Sequence, residues 1–148
     1  MSYNPTAQGT KFQGSSRAIA TGYQNGTLAL LPIASPVSVN SSGQIVNLSV
    51  TSESLVDSFV GLTQLAIPSG ASGQVVSQGR LENAQTSFPV GTPLWVNFDG
   101  TLTNIQPDIT VSGWAVGSFV IYVGIVVQNE FNSGLRDILL HWEIIGQL

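Results

Sequence analysis

Cysteine is absent from this chain, and charge nearly so. Without a thiol there are no disulfides, no cysteine nucleophile and no thiolate metal site. Charged residues make up 8% of the 148 positions, against roughly 25% in ordinary domains. Lys11, Arg17, Arg80 and Arg136 are the four basic residues, and the net charge is −4. A phosphate backbone is held by clustered Lys and Arg, so nucleic-acid binding is not expected. No window approaches the ~20 apolar residues of a membrane span, so no membrane association is expected either. The longest apolar run, Phe119 to Val127, suits a buried strand. The opening MSYNPTAQGT has no apolar core, so a secretory signal is not expected. The sequons at Asn25, Asn40 and Asn47 therefore carry no weight. Capped helical periodicity is missing too, and Ser52 to Val56 has room for one helical turn at most.

Polar but uncharged residues fill the space that charge leaves. The chain is 43% hydrophobic, too apolar for a disordered segment, which combines high charge with few β-branched and aromatic residues. From Arg17 onward, short Val, Ile, Leu and Phe runs alternate with Gly, Pro, Asn and Ser. This is the pattern of strands and turns. It predicts strands near 27–33, 36–40, 44–50, 58–66, 73–79, 93–98, 101–105, 119–127 and 135–145. Residues 1–16 lack periodic apolar positions and read as an extended N-terminal arm. Residues 17–148 read as one β domain.

The sequence repeats itself. LPIASPVSVNSSGQIVNL (31–48) lies over FPVGTPLWVNFDGTLTNI (88–105) without a gap. Pro32/Pro89, Pro36/Pro93, Val39/Val96, Asn40/Asn97, Gly43/Gly100 and Asn47/Asn104 are identical. Proline opens a strand where no ladder hydrogen bond is lost, and Asn, Asp and Gly supply the turn. Each copy reads as a β-hairpin. Phe59-Val60-Gly61-Leu62 then matches Tyr122-Val123-Gly124-Ile125, and Ser69-Gly70 matches Ser133-Gly134. The larger offset of this second match is absorbed by 106–118, which reads as an inserted loop. Two such units, about 27–80 and 84–145, make an all-β fold: a small β-barrel or sandwich with its edges closed or nearly so.

These turn and strand patterns resemble the small β-barrel capsid decoration proteins, also called cement or head-fibre proteins, of tailed bacteriophages. The resemblance rests on PVSVNSSGQIV, FVGLTQLAIPSGASGQVVSQGRLE, FPVGTPLWVNFDGTLTN and YVGIVVQN, and spans residues 31–145. It implies a virion structural protein, made in the host cytoplasm, that reinforces the capsid surface by binding the major capsid protein. It also implies self-association as a homotrimer. Related barrels serve as receptor-binding, glycan-binding or connecting modules of tail fibres and baseplates, which is the alternative reading. The arm and the 106–118 loop depart from the pattern.

The residues suggest no enzyme. His141 is the one histidine, with no nucleophile elbow to serve, and one histidine without cysteine cannot build the usual zinc site. No cofactor is expected. Of the acids, Asp99 belongs to a hairpin turn, while Arg80 and Glu82 read as a solvated pair or a contact between subunits. Partner binding falls to Tyr3, Lys11, Phe12 and Arg17 in or beside the arm, with Phe12 as an apolar anchor against a neighbouring capsid or decoration subunit. Trp114, in the inserted loop, completes the set, either as binding surface or as local packing.

Overall fold

The computed structural model describes residues 18–148. The chain runs through β1 (Ile19–Gln24), β2 (Pro36–Val39), β3 (Ile45–Asn47), a helical turn α1 (Glu53–Asp57), β4 (Phe59–Thr63) and β5 (Ser72–Leu81). The second unit follows with β6 (Pro93–Val96), β7 (Leu102–Thr103), β8 (Phe119–Gln128) and β9 (Arg136–Gln147). All nine strands join one antiparallel sheet, in the order β3-β2-β4-β5-β9-β8-β6-β7, with β1 on β5. The order reads the same outward from β5 and from β9, and the sheet curls into a half-barrel.

The two units match at the level of single hydrogen bonds. Asn40 N–H donates to Gln44 O at 2.8 Å, and Asn97 N–H to Thr101 O at 2.6 Å. Gly43 N–H meets Asn40 O, and Gly100 N–H meets Asn97 O, both at 3.0 Å. Ala34 and Gly91, both at positive φ, donate to the Thr63 and Val126 carbonyls. Val37 pairs with Gly61 and Leu94 with Gly124, and each ladder slips register immediately afterwards. A Cβ on either glycine would collide with the carbonyl oxygen of Val76 or Leu139. Glycine is required there because the next strand presses its backbone against the Cα.

The shared backbone buries different faces in the two units. Leu62 and Val76 from the first unit join Leu94, Val96, Val123 and Ile138 from the second in the main core. Val37 and Val75 occupy the places of Leu94 and Ile138, yet they lie in a separate core with Leu31, Ile45 and Ile67. The first unit is thus covered on both faces and the second on one. The link between units is tightened where Phe119 N–H donates to Val50 O at 2.8 Å. Short α1 starts at Ser52, whose hydroxyl accepts from Leu55 N–H, and it packs the buried Val56 into the main core.

Two expectations need correction. The apolar run 27–33 forms no strand and contributes only the Leu31–Ile67 bridge. In its place Ile19–Gln24 pairs along β5. Alternation of Ile19, Thr21 and Tyr23 was its only signal, diluted by alanine and glycine.

Candidate interaction surface

Why 27–33 fails as a strand is a matter of one side chain. Asn25 is buried at 1% exposure. Its amide nitrogen donates to Ala29 O at 2.9 Å and Ile67 O at 2.8 Å. Its amide oxygen accepts from Thr27 N–H at 2.8 Å and from the Thr27 hydroxyl at 2.7 Å. An asparagine side chain that bonds nearby backbone competes with ladder formation. Here it wins, because its own main chain is also held, by the Ala71 carbonyl and the Gly70 N–H. The Ser69 hydroxyl closes the far side by donating to Thr27 O at 2.6 Å.

This frame holds leucines out in water. Leu28 is fully exposed at 101%, and Leu30 and Leu65 stand at 55% and 67%. They lie on two loops stitched together by the paired Leu31 and Ile67 backbones. At other loops Phe131 and Val116 are also exposed. Isolated exposed apolar residues are ordinary, but grouped ones mark contact surfaces. A fixed loop displays its leucines without the entropy loss that ordering a floppy one would bring.

The residues singled out in the sequence lie elsewhere. Tyr3, Lys11, Phe12 and Arg17 are outside the described residues. Trp114 is 7% exposed and sits in the main core, edge-on to Phe98 at 5.8 Å. It plugs the core where the 106–118 loop crosses and presents no face to a partner. Trp142 packs edge-on to Phe59 at 4.7 Å. Trp95 faces outward beside Tyr122, with centroids 6.0 Å apart. His141 is exposed on β9.

The carboxylates do structural work. Arg80 reaches Asp137 at 2.8 Å and leaves Glu82 aside, which corrects the first of the two readings, a solvated Arg80–Glu82 pair. Asp137 is fully buried and also accepts from the Asn129 amide and Asn83 N–H. Asp99 and Asp108 cap turns through Thr101 and Thr110. The Thr101 hydroxyl holds the Asp99 carboxyl below its ordinary value, and the Thr110 N–H does the same for Asp108. Among the described residues no three of His, Asp and Glu gather as a metal site would require. A cleft of about 390 Å³ lies along the seam where Pro32–Pro36 faces Asp99–Leu102 and the linker Ala84–Thr86. Among the described residues no helix is long and apolar enough to cross a membrane.

A scan against family models finds no match, and searches of curated proteins and of solved structures find none.

Proposed function

We propose that this protein is a structural component of a bacteriophage virion, one that decorates the shell by binding the lattice of the major capsid protein. The observation that carries the reading is the Asn25-framed loop with Leu28 fully exposed. Burying a leucine side chain is worth about 1.5–3 kcal/mol. A chain that fixes several in water gains that energy only when a partner covers them. The charge-poor composition fits the same role, because burying charges is costly unless they are paired. The resemblance of residues 31–145 to small β-barrel decoration proteins is what supports the major capsid protein as the partner.

Co-sedimentation with capsids stripped of this protein tests the proposal. Wild-type protein is expected to bind saturably. Leu28→Ser, which removes no internal contact, is expected to bind about tenfold more weakly or worse. Equal binding by both proteins, or none by either, would count against the reading.

A further inference from the structure

Asn25, the residue that frames the leucine loop, is followed by Gly26. Asparagine before glycine is prone to react with its own main chain, because glycine has no side chain to hinder the approach. The Gly26 nitrogen attacks Asn25 Cγ, and its proton passes through solvent to the side-chain nitrogen. The bond from Cγ to that nitrogen breaks, and ammonia leaves. Water then opens the resulting succinimide at either carbonyl, giving aspartate or isoaspartate. The only co-reactant is water.

The fold opposes this reaction at every atom it uses. The peptide unit between Asn25 and Gly26 is pinned at both ends. Its N–H donates to Ile45 O at 2.9 Å, and its carbonyl accepts from Gly70 N–H at 3.0 Å. The Asn25 amide is bonded to Ala29 O, Ile67 O, Thr27 N–H and the Thr27 hydroxyl. Attack draws Cγ out of that set and expels the nitrogen that holds two carbonyls. Gly26 itself is exposed, so water reaches the junction and geometry alone keeps it closed. Asn132–Ser133 is the contrast. Both residues are exposed, and among the described residues the Asn132 side chain has a single partner, Gly134 N–H.

We infer that Asn25–Gly26 is a self-modification site that the frame holds shut, and that reaction there retires the leucine loop for good. The rate follows the population of the opened loop. Aspartate sets an acceptor where the amide donated to Ala29 and Ile67. Isoaspartate adds a methylene to the main chain between its contacts with Ala71 and Ile45. Either product opposes re-formation of the frame, so opening followed by reaction is a one-way step. The inference concerns the chemistry of the loop and holds whichever partner covers Leu28.

Peptide mapping by mass spectrometry tests it, on the full chain aged in mildly alkaline buffer, folded and in urea. Conversion at Asn25 and Asn132 is read in the same digest. In urea Asn25 is expected to convert faster than Asn132, since glycine hinders attack less than serine. In the folded chain the order is expected to invert, with Asn25 slowed at least about tenfold. Thr27→Val removes the hydroxyl bond to the Asn25 amide, and Ser69→Ala frees Thr27 O. Each is expected to speed conversion at Asn25 and leave Asn132 unchanged. The converted fraction, separated by ion exchange, is expected to exchange hydrogen faster at Thr27 and Leu31 than fresh protein does. Asn25 that converts as fast when folded as in urea, or more slowly than Asn132 in urea, overturns the inference. So does conversion that neither variant speeds, or a converted fraction that keeps the protection of those two amides.

Discussion

Gly61 and Gly124 hold the same place in the two units, each opposite the second residue of a hairpin's first strand, Val37 or Leu94, and each pressed by the backbone of the strand that follows. Their φ values of +138° and +157° lie where side chains are rarely found. Gly61→Ala and Gly124→Ala are each expected to cost about 2 kcal/mol or more, since backbone rather than a flexible side chain must move. Gly146→Ala, whose Cβ meets nothing within 4 Å, is the control and is expected to stay within about 0.5 kcal/mol. Chemical denaturation of the three variants checks this.

The paired turns offer a finer comparison. Gly43 and Gly100 have φ of +76° and +84°. A Cβ on Gly43 meets nothing, while one on Gly100 comes 2.9 Å from Leu48 O. Valine is expected to cost over about 1 kcal/mol at either position from backbone strain. Gly100→Val is expected to cost more than Gly43→Val, because it also pushes on the other hairpin. Equal losses in thermal melts would show that the contact with Leu48 contributes nothing.

Asn25 is the test of the exposed loop. Asn25→Asp keeps the shape but turns two donors into acceptors facing the Ala29 and Ile67 carbonyls. Leaving such buried groups unpaired costs about 1–3 kcal/mol each. The aspartate variant is therefore expected to be at least as unstable as Asn25→Ala. Hydrogen exchange should quicken at Thr27 and Leu31, whose N–H groups the frame protects, while β8 and β9 keep their protection.

Asp99 sets a small pH dependence. The Thr101 hydroxyl, then the Thr101 N–H, favour its charged form and lower its value in the folded chain below the ordinary 3.8. The unfolded chain binds that proton more readily. The contribution is therefore full above about pH 3.8 and fades as pH falls through the folded value. Wild type is expected to exceed Asp99→Asn in melting temperature by a constant amount at neutral pH, and the gap is expected to close below pH 3.8. Asp99 is largely exposed, so the gap is small.

How much of this was legible in the sequence differs from element to element. The hairpins were, because proline, asparagine and glycine fix local backbone without help from distant residues. The single helical turn near Ser52 to Val56 and Asp99 as a turn residue were legible for the same reason. The run 27–33 was misread because its apolar composition is that of a strand. What overrides it is the side chain of Asn25, reaching to Ile67. Strand β1 was missed because its partner, β5, supplies the stability that its own alanine and glycine do not. The reversal of buried faces between the units lies beyond pattern reading. Val75 and Ile138 have matching neighbours, and only the packing of one unit on the other decides which core each enters. For Trp114 the sequence left binding surface and local packing open, and the fold decides for packing.

Locating the protein by cryo-electron microscopy of the particle that carries it tests the account most directly. The account predicts half-barrel density on the outer surface of the shell, with the loop bearing Leu28 seated on the major capsid protein. Density confined to the tail or its fibres, or Leu28 facing solvent in a shell-bound copy, would contradict it.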